Sequence, residues 1–279
     1  MFIDSEDIKR VIPEVIKIRR HIHMYPEISE HEYETSKYIK KCLEEIGLEA
    51  NFIGDTGVVS MLMNNPEFQT VGLRAEMDAL PIEEETNLEF KSKNKGVMHA
   101  CSHDGIVATA LGVTKLLYEH KDELKCNVKF IFEPAEEVGR GAKKLIKEKV
   151  LENPTVDKMV IFHYANSAPI GMEIQKGVST ATLGRVSIEI IGKSSHWGEP
   201  EKGINAISVA AKVIDAIDKI NEDLKEKIQF VLGMGIINGG VKNNIMAENV
   251  KLEGTIRTFC EENLEYVLTY LQDRMKEIE

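Results

Sequence analysis

Cysteine, proline and aromatic residues are scarce in this chain of 279 residues, which holds 4 Cys, 8 Pro and a single Trp. The cysteines (Cys42, Cys101, Cys126, Cys260) are scattered and form no CxxC pair. That excludes a dense disulfide framework and points to reduced thiols in a cytoplasm. Long hydrophobic runs are also lacking. The longest are of the kind VKFIF at 128–132 and KMVIF at 158–162, far short of the roughly 20 residues that span a bilayer. The opening MFIDSEDIKRVIPEVIKIRR alternates charge with aliphatics, so it offers no unbroken apolar core of a signal peptide. Positive charge is in deficit, with 35 Lys and Arg against 46 Asp and Glu and a formal net charge of -11. An acidic chain without a basic cluster is a poor partner for nucleic acid or anionic membrane, whereas surplus carboxylates suit solubility and cation binding.

What is present is a globular composition, 43% hydrophobic and 29% charged, with length enough for two domains. Apolar spacing predicts helices over 6–22 and 31–47, the second closing at Gly47. Strands follow at 58–63 and 70–77, a buried helix at 104–120, and a buried strand at 127–133. An amphipathic helix at 141–151 and another interior strand at 157–164 complete the run. Alternating strands and helices with continuous apolar runs predict an α/β layer on a mainly parallel sheet, with functional residues at the strand ends. The pattern changes near residue 178. Strand RVSIEIIG, helix 203–219, strands 228–237 and 248–258, and a helix from 261 form a split βαβ unit that lacks its last strand. The domains are therefore read as 1–178 and 179–279.

Four clusters can carry chemistry. In MHACSHD at 98–104, Cys101 and His103 lie two apart, so on an extended segment both face one ion. Asp104 and His99 stand beside them as ligands or as partners of ligands. In FEPAEEVG at 132–139 a buried strand runs into Pro134 and the adjacent carboxylates Glu136 and Glu137, which can divide metal binding from proton transfer. His163 ends the strand VIFHY, and LRAEMDALPI at 73–82 sets Arg74, Glu76 and Asp78 two apart, where a carboxylate can orient a ligand histidine. Taken singly, each is equally an exposed acidic turn, a salt-bridged turn or a structural histidine. Their convergence on one sheet edge favours a metal site. GKSSHWGEPEKGINAI at 192–207 adds His196 and the Trp in a Gly/Pro-rich loop, a candidate substrate contact.

Taken in order, the segments resemble the amidohydrolase branch of the aminoacylase/carboxypeptidase metallopeptidase family, with hippurate hydrolase, N-acetyldiaminopimelate deacetylase and auxin-conjugate hydrolase relatives. The resemblance runs from RRHIHMYPEISEHEYET at 19–35, through LRAEMDALPI, GVMHACSHD, FEPAEE and GKSSHWGEPEKGINAI, to GG…N at 239–244 and GTIRTF at 254–259. It implies a metal-dependent amidohydrolase acting on small N-acyl amino acids or peptide-like amides. By position it implies Cys101, His103, Glu137 and His163 as ligands of two divalent ions, with Glu136 as general acid/base and Asp78 and Asp104 as supporting partners. A thiolate ligand favours Zn, Mn, Co or Ni over Mg or Ca. It further implies an α+β ferredoxin-like lid that forms a homodimer. His196 then reaches the partner's site to stabilise the oxyanion, and Asn244 and Arg257 hold the substrate's carboxylate end.

Three departures stand out. CSHDGIV replaces the family's CGHD with its following His, leaving Ile106 there, and NIMAE at 244–248 replaces NVIPD. The family chain also returns from the lid to add one more His ligand and closing strands, which are not found before Glu279. A truncated, catalytically impaired remnant that keeps metal binding or dimerisation is therefore the alternative. A cysteine hydrolase with Cys101 as nucleophile is a third reading, marked by activity that survives exhaustive chelation. An unpaired edge beside RVSIEII predicts marginal stability or self-association of the chain as given. A stable, monodisperse monomer on size-exclusion chromatography would contradict it.

Overall fold

A computed structural model describes residues 3–165, 170–174, 176–182 and 184–278. Two compact units, Met1–Pro169 and Ile170–Glu279, divide the chain.

The first unit opens with helix α1 (Ser5–Met24), started by a capping box in which Asp4 accepts from the N–H groups of Glu6 and Asp7. Helix α2 (Tyr33–Ile46) stops at Gly47, whose φ of 106° is the left-handed conformation that glycine adopts without strain. Five strands follow: β1 (Ala50–Ile53), β2 (Gly57–Leu62), β3 (Thr70–Glu76), β4 (Asn127–Glu133) and β5 (Lys158–Ile161). Their order is β1-β2-β4-β3-β5. Only β2 runs against the rest, pairing antiparallel with β1 and β4, while β3 pairs parallel with β4 and β5. The expected mainly parallel sheet is therefore present with one reversed strand. Helix α3 (His103–Glu119) is buried along most of its first three turns, and Ile106, Leu111, Phe130 and Phe132 are among the largest side chains fully enclosed in the core.

Two expectations need correction. The helix predicted over 141–151 is the shorter α4 (Gly141–Lys147). The strand predicted as interior over 157–164 spans only 158–161 and pairs with β3 alone. Met159, Val160 and Ile161 are 38%, 49% and 58% exposed. A continuous apolar run reports that a strand is built to be covered, but not that a described element covers it.

Strand β4 is buried along its whole length and yet carries Lys129. Its ammonium donates to three backbone oxygens, those of Val150, Glu152 and Pro154, at 3.0, 2.9 and 3.1 Å. Burial lowers its proton affinity, and the three acceptors compensate for the lost water.

The second unit contains β6 (Gly184–Ile191), α5 (Ala206–Leu224), β7 (Phe230–Gly239), β8 (Asn249–Thr258) and α6 (Glu261–Lys276). The strands form an antiparallel sheet ordered β6-β8-β7. Val186, Ile190, Leu252 and Ile256 pack with Ile217 and Ile220 of α5 and Val267 and Leu271 of α6. Asn205 caps α5, so this helix starts three residues later than its apolar spacing indicated. Among the described residues no helix is long and apolar enough to cross a membrane.

Replacing Lys129 by Met keeps the apolar stem but strands three buried carbonyl oxygens. Stability to urea should fall by about 2–4 kcal/mol, and an unchanged midpoint and slope would refute the role given to the ammonium.

Candidate metal centre

Strands β3, β4 and β5 point the same way, so the chain leaves all three at one edge of the sheet. Glu76 pairs with Glu133 at the ends of β3 and β4, and Ile161 lies opposite Arg74. Just beyond come Asp78, the turn bearing Glu136 and Glu137, and His163, while the first residue of α3 is His103. This is the edge at which parallel sheets place their sites.

Cys101 and His103 do not converge through an extended segment, as their spacing suggested. Ser102 between them adopts a left-handed conformation, with φ of 63° at the N-cap of α3. That reversal turns the thiol and the imidazole into one site. Sγ of Cys101 lies 3.4 Å from Nε2 of His163. Nε2 of His103 lies 3.9 Å from Oε1 of Glu137 and 4.0 Å from Oε2 of Glu136. Two overlapping groups result, Cys101–His103–His163 and His103–Glu136–Glu137, in each of which the donor atoms lie within 4.8 Å of one another.

The tautomers can be read from the partners. Nδ1 of His103 lies 2.8 Å from the carbonyl oxygen of Asp78, and Nδ1 of His163 lies 2.8 Å from that of Tyr164. A carbonyl only accepts, so both Nδ1 atoms carry hydrogen and both Nε2 atoms offer lone pairs to the cluster when the rings are neutral. Asp78 is buried, accepting at Oδ2 from the Ser29 hydroxyl at 2.6 Å and from the Glu137 N–H at 3.1 Å. Burial works against its charge, but these donors and His103 outweigh it and hold its pKa below the ordinary value.

The surroundings are acidic. Glu76 and Glu133 share Arg74, whose Nε lies 2.6 Å from Glu133 and which also binds Glu76. Burial raises the pKa of Glu136, with Glu137 and Glu76 adding to it and His103 and Arg74 opposing. Burial, Glu137, Glu136 and Glu76 push the Cys101 thiol up to about 12, the opposite of what a cysteine nucleophile requires. Burial opposes the His103 imidazolium, but Asp78 and Glu76 raise its pKa overall. Nε2 of His103, Oε1 of Glu137 and Oε2 of Glu76 are buried without a hydrogen-bond partner. Soft and hard donors, an acidic field and unpartnered buried atoms together fit divalent cations.

Asp104 lies elsewhere. Its Oδ2 accepts from Nδ1 of His23 at 2.9 Å and Nε of Arg19 at 3.1 Å. Nε2 of His23 faces Glu84 at 3.3 Å, and Glu84 also accepts from the Ser92 N–H at 2.6 Å. The ring therefore lies between two carboxylates and joins the end of α1 to the 80–98 segment and the start of α3. Neither His23 nor Glu84 is among the sequence-predicted site residues, although His23 lies within the RRHIHMYPE segment. His99 is buried with neither ring nitrogen bonded, and burial lowers its pKa to about 4. It belongs to neither donor group.

In the second unit, the Gly198 N–H donates to Nδ1 of His196 at 3.0 Å, and the Asn244 amide lies 3.4 Å from Nε2. Both ring nitrogens thus face N–H donors, the Gly198 amide at Nδ1 and Nδ2 of Asn244 at Nε2. Arg257 lies in β8 opposite Val231, with its side chain exposed.

Residues 72–257 match the peptidase family M20/M25/M40. The N-acetyl-L-cysteine deacetylase of Bacillus subtilis (strain 168) is 39% identical over 252 residues, covering 89% of this chain and 60% of that protein. The N-acyl-L-amino acid amidohydrolase of Geobacillus stearothermophilus is 35% identical over 265 residues, covering 92% of this chain and 71% of that protein. Among solved structures, the YXEP protein of Bacillus subtilis, described as a dinuclear metal binding peptidase from the M20 family, is similar with a TM-score of 0.82 and 32% identity. That similarity covers 99% of this chain and 71% of the other. The chain thus spans only part of its relatives' length, 60% of the Bacillus subtilis deacetylase.

Asp104 first and then Glu84 raise the pKa of His23 above 6.5, against the effect of burial. A raised folded-state value contributes stability fully below the unfolded pKa and loses it as pH rises through the folded one. Unfolding free energy of the wild type should therefore decline as pH rises above about 6.5. Urea titrations of His23→Gln should show a shallower decline, because His103 still contributes to it, and an identical decline in both would exclude His23 as a source.

Proposed function

The chain belongs to peptidase family M20/M25/M40, and from that premise we propose that it is a metal-dependent amidohydrolase cleaving small N-acyl amino acids or related amides. One observation carries the reading. His103 and His163 each have Nδ1 on a backbone carbonyl, leaving Nε2 toward Cys101 and the paired glutamates.

In this reading Cys101, His103, Glu137 and His163 hold two divalent ions, and Zn, Mn, Co and Ni all suit a donor set that includes a thiolate. When bound, the ions supply Lewis acidity to the amide carbonyl and to the attacking water. Glu136 is the general acid/base. Its side chain is 38% exposed, more open than the 19% of Glu137. Oε2 of Glu136 can therefore meet a water, take its proton and pass it to the leaving amine. Asp78 orients His103 through its backbone oxygen and anchors Glu137 through its carboxylate.

The second unit serves as a lid and dimerisation domain of ferredoxin-like type. In the homodimer His196 stabilises the developing oxyanion, and Asn244 and Arg257 bind the substrate's carboxylate. Acyl-amino-acid substrates are consistent with the names of the curated relatives, and four free thiols agree with a cytoplasmic location.

Protein supplied separately with Zn, Mn, Co or Ni should release free amine from a panel of N-acyl amino acids. Glu136→Gln should lower kcat at least about 100-fold while ion binding persists. No release with any of the four metals would overturn the hydrolase reading, and ion binding without release would leave a metal-binding remnant.

A further inference from the structure

The turn that presents Glu136 and Glu137 contains a residue in an unfavourable conformation. Ala135 is buried and has φ of 53°, a region that costs an L-residue on the order of 1 kcal/mol. Such a conformation persists only where its surroundings over-determine it. On one side the carbonyl of Ala135 accepts from the N–H groups of Arg140 and Gly141, both at 3.1 Å. Gly141 can approach this closely because it has no Cβ, which would meet the Pro134 oxygen at 1.7 Å.

On the other side the Ala135 N–H donates to Oε1 of Glu32 at 2.8 Å. Glu32 lies 103 residues earlier in the chain and is fully buried. The same oxygen accepts the Glu30 N–H at 3.0 Å, and Oε2 accepts the Thr56 hydroxyl at 2.7 Å. Among the described residues Glu32 makes no ion pair. Its carboxylate is solvated by two amides and one hydroxyl, each from a different segment. A buried carboxylate with three fixed donors is rigid, because any movement would leave charge unsolvated.

We propose that Glu32 is the positioning residue for the Glu136–Glu137 pair. It clamps Ala135 in the left-handed conformation and so fixes the direction in which the next two carboxylates leave the turn. The proposal rests on the reading of those glutamates as the hydrolytic pair, but the clamp can be tested without activity. Glu32→Gln can keep its acceptor on Ala135 while its amide faces the Thr56 oxygen, whereas Glu32→Ala cannot.

Hydrogen exchange of the 133–141 segment should accelerate about tenfold in Glu32→Ala and stay within about twofold in Glu32→Gln, with α3 unchanged in both. In cobalt titrations the Ala variant should lose about tenfold in affinity while keeping the thiolate-to-cobalt absorption band from Cys101. Local exchange unchanged in Glu32→Ala, or equal damage in both variants, would overturn the clamp. If the Ala variant does not fold, Thr56→Val supplies the comparison, because it removes only the hydroxyl on Oε2. It should accelerate exchange in 133–141 alone, and an unaltered segment would overturn the proposal. Failure of the wild type to bind cobalt or release amine would count against the hydrolase reading, and the exchange comparison would still decide the clamp.

Discussion

Three separate parts of the first unit meet at Asp78. Its carbonyl oxygen fixes the ring of His103 at the start of α3. Its Oδ2 accepts both from Ser29, between α1 and α2, and from the amide of Glu137 beyond β4. The first of these contacts is not available to a residue inside β3, whose carbonyls are committed to β4 and β5. Asp78 can serve all three because it lies two residues past the strand, where its carbonyl is released from the ladder and its carboxylate faces Ser29 and Glu137. The donor cluster is thus a consequence of how three parallel strands end, and one buried carboxylate sets its register.

The electrostatic cost of this arrangement is plain. Glu76 and Glu133 pair with the guanidinium of Arg74, whose charge also acts on Glu136, while Asp78 and Glu137 lie against His103. Buried carboxylates are costly unless paired or fully hydrogen-bonded. The raised pKa values of Glu136 and Cys101 have the same origin, burial in a field of like charge. Protonation would relieve that field but remove the donors. Divalent cations relieve it and use them, so the acidic excess supports the metal assignment as an energetic requirement as well as a geometric one.

Much of this was legible in the sequence because it is local. Helices α1, α2, α3, α5 and α6 and the long strands follow from apolar spacing and caps, and the paired glutamates announce themselves after a buried run. Strand β1 was missed because ANFI is short, although the Gly54 turn before β2 was a usable hairpin signal. The contacts of His23 with Asp104 and Glu84 span 81 and 61 residues, and that of Glu32 with Ala135 spans 103. No periodicity encodes such contacts. The meeting of Cys101 and His103 was predicted for the wrong reason, since a left-handed Ser102 brings them together. Pattern arguments found the donors, and the fold supplied the geometry.

The departures from the family pattern acquire a physical meaning from their places in the fold. Ile106, where the resemblance leads one to expect a histidine, is fully buried in the core with Val107 and Leu111. The change therefore exchanges a polar side chain for packing and removes no donor from the cluster. Ser102, in place of glycine, accepts about 1 kcal/mol of left-handed strain but keeps the reversal that joins Cys101 to His103. In NIMAE, Asn244 keeps its place beside His196, while Met246 and Ala247 are buried. The changes at Ser102, Ile106, Met246 and Ala247 fall on residues that support the fold, where volume and conformational energy can be compensated elsewhere. Donors of a metal site would have no such latitude, because a cation selects atoms and charge together, and the four that the resemblance implies in this chain, Cys101, His103, Glu137 and His163, are all present.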